Sequence, residues 1–558
     1  MRQRRRDFFK ATGAAVAAAG LGMAPPYPKL AVAEPRQSGV ELANPRLGRK
    51  PPARSKKGMV ICSHPYATRA GVDMLKTGGN ACDAALATSL TQTVVEPHMT
   101  TINGVLSMLY FEAATEKITY VNGGLNRPLA GLPGFSAADL RTGRGPGVPG
   151  WWPAFEASLE RHGSKPKTEI AAAAIHYARD GFEIHPFLYA SMFSALDRLG
   201  RYPEGREIYM PEGSLLPPGA TLEQTNAART LERLVAEGED YWRGEYARKY
   251  SEVVQAHNGV ITPEDFERYQ VRWMEPARGS YRGYELVGSP PPDNGGTHII
   301  EALHMIELLD IERLGPPSES PDTAYQMIRI AHEVMEEGAN QTDPASHEVP
   351  LDVILSKEYA RMRFKLLQMA PVRAHAYTPS PGSTHVTAVD AQGNVATILH
   401  STMASAWSAG LFVEGVSIVS SGGHFLRVMP KPGDRASAYV APTMVLSNGR
   451  PVLASGSPSV SLVANILQNT VNVLDFGMAP EESTHRPRFG RWRAGGFLIE
   501  ADLYERMGEE LEGRGLSLNR VSPWYMYLGS WEGIVIDQAS GTYHACGDPR
   551  RTGHAEGV

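Results

Sequence analysis

Hydrophobic and polar positions alternate in several short runs and recur at helical spacing in longer ones, so the chain is predicted to mix strands and helices. Residues 60–65 read as a strand and turn, and 70–76 as a short helix ending at Gly78-Gly79. Asn80 suits the N-cap of the Ala-rich helix that runs from Ala81 to Val95. Residues 110–121 read as paired strands. Helices are expected over 151–162, with Gly163 placed to end it, and over 170–180, with Gly181 as C-cap. Further helices are expected over 297–309, 325–337 and 460–476. A hairpin is predicted with its first strand opening at Ser383, its turn at 391–394 and its return over 395–399. Residues 412–420 follow as a strand, and Asn448-Gly449 marks a second hairpin. Helix blocks with hairpins rather than crossovers in the C-terminal part give an α+β chain with helices around antiparallel sheets.

With 558 residues the chain exceeds one ordinary domain and buries a large core. Its 42% hydrophobic and 21% charged content is that of a soluble globular protein. Three cysteines without a C-x-x-C pair argue against a disulfide framework or a zinc site, and no metal or cofactor is expected. Residues 4–10 carry Arg4-Arg5-Arg6-Asp7-Phe8-Phe9-Lys10 before a mild apolar run and Ala31-Val32-Ala33. This resembles a twin-arginine export signal over 1–33, with periplasmic or secreted localisation implied. The apolar run is too short to span a bilayer, so no stable membrane anchor is expected. Removing residues 1–33, with six Lys/Arg and one Asp, takes the formal charge from −5 to −10. An acidic chain without basic clusters argues against nucleic-acid binding. Residues 34–57 read as an extended lead-in, and 370–382 as a pliable linker.

The chemistry points to Pro381-Gly382-Ser383-Thr384-His385-Val386-Thr387-Ala388-Val389-Asp390. A hydroxyl at the mouth of a buried strand is held in place by that strand, which suits a nucleophile. This segment resembles the processing site of the gamma-glutamyl transpeptidase family, whose pattern is Thr-Thr-His-x-Ser/Thr-x-x-Asp. The block from Gly78 to Pro97, the turn Val148-Pro149-Gly150 and the stretch 281–296 match that family in order. The resemblance implies a four-layer αββα N-terminal nucleophile (Ntn) hydrolase sandwich. It also implies a precursor that cuts itself between Gly382 and Ser383. Residues 34–382 would then form a large subunit, and 383–558 a small one carrying the nucleophile, the two making a heterodimer. Ser383 takes the nucleophile's place, with Thr384 as the other candidate. Ser401 aligns with a hydroxyl that bonds the nucleophile's amine, and Ser459-Val460 with the Gly-Gly pair of the oxyanion hole. That hole is expected to persist only if both residues avoid positive φ. A structural role is expected for His385.

The chain departs from the family where the substrate's glutamate head is held. The family's clamp positions fall on Gly124, Met403, Ala438-Tyr439 and, within a residue or two, Ser421 and His424. Arg127 and Arg427 lie close in sequence and would favour a carboxylate. Arg127, Ser421, His424 and Tyr439 are therefore the candidate substrate-binding residues. Retained chemistry with a rebuilt clamp resembles the cephalosporin acylases, which remove a glutaryl-type side chain from a small-molecule amide. The alternatives are a gamma-glutamyl transpeptidase or glutathione hydrolase, and an uncut, non-catalytic relative.

Overall fold

The period-two runs pair into two seven-stranded antiparallel sheets. The computed structural model describes residues 48–337, 343–372, 382–493 and 495–558. The export-signal segment, the lead-in as far as residue 47 and linker residues 373–381 lie outside the described residues. In chain order the strands of the two sheets are β1 (Pro52–Ser55), β2 (Gly58–Cys62), β3 (Val105–Glu112), β4 (Lys117–Gly123), β5 (Arg272–Met274), β6 (Ala277–Tyr281) and β7 (Tyr284–Gly288). They continue as β8 (Thr384–Asp390), β9 (Val395–Ser401), β10 (Thr443–Ser447), β11 (Arg450–Ser455), β12 (Ile534–Asp537), β13 (Thr542–Cys546) and β14 (His554–Gly557). The first sheet has the order β14-β2-β8-β9-β3-β4-β5, and the second β1-β13-β12-β11-β10-β7-β6.

Alternation along each strand divides the apolar side chains between cores. Met59, Ile61, Leu109 and Val389 of the first sheet meet Met444, Ala454 and Ile534 of the second. The other face of the first sheet, with Val60, Cys62, Val386 and Ile398, packs against residues of the helices Ala81–Val95, Trp151–His162 and Lys167–Asp180. The other face of the second, with Leu286, Val445 and Leu453, packs against Gly295–Ile306, Pro321–Glu337 and Leu462–Leu474. The result is the four-layer αββα sandwich.

Local chemistry fixes the elements nearest Ser383. The helix Ala81–Val95 starts with a capping box: Asn80 Oδ1 accepts from Asp83 N at 3.0 Å, and Asp83 Oδ2 from Asn80 N at 2.8 Å. Asp390 works on both sides of the first hairpin turn. Its Oδ1 accepts from Gln392 N and Asn394 N, and its Oδ2 from Ala81 N at 2.9 Å. The turn is thereby tied to the helix start. The β8–β9 register runs from Thr384↔His400 to Val389↔Val395. Strand β8 therefore begins one residue after the expected Ser383. Asn448 and Gly449 both have positive φ, 51° and 77°, as a two-residue hairpin turn requires.

Two expectations change. The predicted strand over 412–420 is a hairpin of Leu411–Val413 and Val416–Ile418, because Glu414 and Gly415 both take positive φ. The helix expected from residue 460 begins at Leu462, after Ser459 turns the chain at φ +88°.

His385 is a core residue. Its Nε2 lies 2.8 Å from Thr397 Oγ1, and burial pushes its pKa down to about 3. Its ring fills the space over Gly456, where an added Cβ would stand 2.1 Å from Cε1. Gly456→Ala is therefore expected to destabilise the protein by about 1–3 kcal/mol through overpacking. Chemical denaturation measures this, and an unchanged midpoint would overturn the packing account.

Candidate active site

Strand β8 runs between β2 and β9, and the chain just before it emerges at the edge of a cleft. Ser383, half-buried, places its Oγ 3.1 Å from Ser459 N, which donates to it. Ser459 sits in the turn that leads into the helix Leu462–Leu474, where backbone N–H groups and the helix dipole both favour developing negative charge. The condition set for this turn, that neither residue takes positive φ, is not met at Ser459. Ser459 adopts φ +88°, a conformation that costs a non-glycine residue of order 1–3 kcal/mol. Its hydroxyl donates to Tyr527 O at 2.8 Å, and Asn465 Nδ2 bonds Ser457 Oγ at 2.8 Å, so the turn is held from two sides. Val460 lines the same cleft.

Gly382 is gripped as tightly. Its N–H donates to Ala404 O at 3.1 Å. Its carbonyl oxygen accepts from Ser401 Oγ in a short bond and from Thr402 Oγ1 at 3.4 Å. Met403 N in turn donates to Ser401 Oγ at 2.8 Å. A Cβ on residue 382 would stand 2.1 Å from Thr402 Oγ1, so only glycine lets this carbonyl reach both hydroxyls.

The two adjacent hydroxyls have different surroundings. Thr384 Oγ1 is buried, 2.6 Å from Ser63 Oγ, 2.6 Å from Gln92 Nε2 and 3.4 Å from Glu96 Oε2. Ser383, not Thr384, lines the cleft. Behind the pair, Arg551 Nη1 donates to Ser383 O at 2.6 Å. Burial raises the carboxyl pKa values of Glu96 and Glu532 and lowers that of Arg551, while their mutual attraction acts the other way. The C-terminal tail that delivers Arg551 is anchored through Asp548, which accepts from Arg488 Nη1 at 2.6 Å and Trp531 N at 2.8 Å.

The cleft is lined by Gly382, Ser383, Ser401, Met403, His424, Tyr439, Ser459 and Arg491, with Leu399, Val460 and Leu462 as apolar wall. Burial first, and then nearby Arg427, push His424 down to about 3, so it is neutral at working pH. Tyr439 donates to Met335 O at 3.0 Å and carries guanidiniums near its ring, Arg427 at 4.2 Å and Arg491 at 5.4 Å. Gly490 lets Arg491 come in. A Cβ at Gly490 would stand 2.4 Å from Ser461 Oγ, which accepts from Arg491 N.

Two candidate substrate residues lie outside the cleft lining. Arg127 Nη1 donates to Pro430 O at 2.5 Å, which holds the guanidinium on a loop carbonyl. Ser421 Oγ accepts from Gly147 N at 3.0 Å. Gly124 leaves room for the buried Arg435, whose Nη1 donates to Gly124 O at 2.9 Å and Tyr269 OH at 2.6 Å. Sequence reasoning missed Thr402, Arg491 and Arg551. Two of these stood in plain view, Thr402 beside Ser401 and Arg551 in the charged run from Asp548.

Residues 67–558 match the family described as Gamma-glutamyltranspeptidase. The chain is 31% identical to the Acylase ACY 1 proenzyme of Pseudomonas sp. (strain SE83), over 84% of this chain and 88% of that protein. It is 28% identical to the Glutathione hydrolase proenzyme of Escherichia coli (strain K12), over 89% and 91%. It superposes on the crystal structure of cephalosporin acylase from Bacillus halodurans with a TM-score of 0.81 and 26% identity, covering 92% of this chain and 98% of that one.

Arg551→Met removes the donor to Ser383 O and the cation facing two buried carboxyl groups. It is expected to cost about 3–5 kcal/mol of stability, the usual loss when one partner of a buried charge set is deleted. A change below about 1 kcal/mol in chemical denaturation would show that Arg551 does not hold this corner.

Proposed function

The chain belongs to the gamma-glutamyltranspeptidase family, and on that premise we propose that it cuts itself before Ser383 and then hydrolyses a glutaryl- or gamma-glutamyl-type amide through an acyl-enzyme. The observation that carries this reading is the grip on one peptide unit. The Gly382 carbonyl faces two hydroxyl donors, and the Oγ of the next residue faces a backbone N–H.

In the first stage Ser383 Oγ attacks the Gly382 carbonyl carbon. The hydroxyl proton passes to the departing nitrogen, the C–N bond breaks, and an ester links Gly382 to Ser383. Ser401 donates to the oxyanion on the Gly382 oxygen, with Thr402, whose closer acceptor is Ala404 O, beside it. Water then opens the ester, leaving a carboxylate on Gly382 and a free amine and hydroxyl on Ser383. Residues 34–382 and 383–558 stay together as large and small subunits.

In the second stage the amine is the base. A terminal amine has an ordinary pKa of about 7.7–8, close to neutral pH. It takes the proton from Ser383 Oγ as the oxygen attacks the substrate's carbonyl. Ser401, freed from Gly382, bonds the amine and orients it. Ser459 N–H lies beside the reacting oxygen, where the new oxyanion forms. The amine half leaves with a proton, and water releases the acid.

The acyl group we favour is glutaryl, as in a cephalosporin side chain. Neutral His424 replaces a clamp carboxylate, and Arg427 and Arg491 flank Tyr439 in the cleft wall. Such a wall suits a terminal carboxylate, and among the described lining residues there is no carboxylate to meet an α-ammonium. The second reading, a glutathione hydrolase or transpeptidase, draws support from the similar glutathione hydrolase proenzyme. Export through a twin-arginine signal over 1–33 is part of the proposal. Among the described residues no helix is long and apolar enough to cross a membrane.

On a denaturing gel the folded protein is expected to give two fragments, the second starting at Ser383 by N-terminal sequencing. Ser383→Ala should leave one band, and Ser401→Ala should slow the cut about 100-fold. A single band from active, unaltered protein would sink the reading in favour of an uncut relative. Activity should rise with pH through the amine's pKa of about 7.7–8, because only the neutral amine accepts a proton.

Glutaryl amides should turn over faster than glutathione. His424→Asp supplies the anion an α-ammonium lacks, so it should raise the gamma-glutamyl to glutaryl ratio of kcat/KM about tenfold or more. Glutathione cleavage outrunning glutaryl cleavage in the unaltered enzyme would favour the second reading.

A further inference from the structure

On the proposed reading the acyl half of a substrate lies in the cleft beside Tyr439, and the amine half needs a second surface near Ser383. The loop of Tyr525, Met526 and Tyr527 lies outside the cleft lining and next to Ser459. The loop is coupled to the reacting oxygen, since Tyr527 O accepts from Ser459 Oγ and Ser459 N donates to Ser383 Oγ. Tyr525 and Tyr527 are half-buried, with ring centroids 5.4 Å apart.

Cations gather on this loop. The guanidinium carbon of Arg493 stands 3.9 Å from the Tyr527 ring centroid. Among the described residues no carboxylate pairs with Arg493. Arg198 is bonded to Ala406 O at 2.9 Å and lies within electrostatic range of Tyr527. Arg551, bonded to Ser383 O, lies within the same range. Of these, Arg493 has its guanidinium on the half-exposed aromatic face. Arg198 has a carboxylate neighbour, Asp197 at 3.6 Å.

We propose that Tyr527 and Arg493 form the subsite for the amine half of the substrate, and that they select amines carrying a carboxylate. The aromatic ring supplies a flat apolar contact to the body of the amine. Arg493, held over the ring, meets the carboxylate through charge-assisted hydrogen bonds. The same preference applies to an amine that intercepts the acyl-enzyme in place of water. The inference rests on Ser383 as nucleophile but is separate from the choice of acyl group.

The test uses self-cleaved protein and two glutaryl anilides that differ in one substituent, 3-carboxy against 3-carbamoyl. The matching gamma-glutamyl pair is run alongside. For the pair with the accepted acyl group, kcat/KM should be about tenfold higher for the carboxyanilide, chiefly through KM. The ratio should fall to within about twofold of unity in Arg493→Gln and be partly kept in Arg493→Lys. Rising salt should narrow it in the unaltered enzyme. Self-cleavage of each variant into two fragments reports that it has folded. A ratio near one in the unaltered enzyme, or a ratio untouched by Arg493→Gln, overturns the subsite. Hydrolysis of neither pair by cleaved protein overturns the glutaryl or gamma-glutamyl reading, and the subsite built on it.

Discussion

The site depends on one constraint: strand β8 cannot move. It is paired on both sides, to β2 and β9, and all seven of its residues are buried. One face lies in the core between the sheets and the other in the core under the helices. Asp390 ties its far end to the helix Ala81–Val95, and the chain before its near end is bonded through Gly382 and Ser383. On the proposed reading, the Ser383 oxygen at the mouth of such a strand is held by the whole packed interior, and its partners need only be brought to it.

Those partners come from three distant parts of the chain, and each arrives by a different device. Ser401 returns on the paired strand β9, so hairpin register sets its height. Ser459 is presented by a turn whose unfavourable φ is maintained by bonds to Tyr527 and around Ser457. Arg551 comes from the C-terminal tail, which Asp548 and Arg488 anchor in the interior. Thr384, the adjacent hydroxyl, is occupied by Ser63 and Gln92. Burying this much polarity is costly, and the opposed shifts of Glu96 and Arg551 express that cost.

Much of this was legible in the sequence, for local reasons. The capping pair Asn80 and Asp83, the turn at Asn448-Gly449 and the hairpin after Ser383 are short-range chemistry. So the elements could be read, and the family motifs gave their stacking. Alternation along a strand says that Ser383 and Thr384 face opposite ways, but not which way the cleft lies. That is decided by Gln92 and Glu96, almost 300 positions away in sequence. Arg127 was placed near the substrate by sequence proximity, yet a loop carbonyl claims it. Arg491 entered unannounced, because its route depends on the absent side chain of Gly490. Ser459 takes the positive φ that the sequence reading set as the condition against an oxyanion hole, and bonds to Tyr527 and around Ser457 hold it there.

The far end of the chain offers one more consequence. Val558 N donates to Gly58 O, and Ser55 Oγ donates to Val558 O at 2.8 Å, so residue 558 lies against the start of the first two strands. A linker from there back to Lys50 would have to cover the length of strand β1. Reopening the ring between Gly382 and Ser383 would give a circularly permuted protein in which serine follows only the initiator methionine. Such a chain would be born with its amine exposed once that methionine is trimmed, and under the proposed self-cleavage the task of freeing it would pass to the cell's ordinary aminopeptidase.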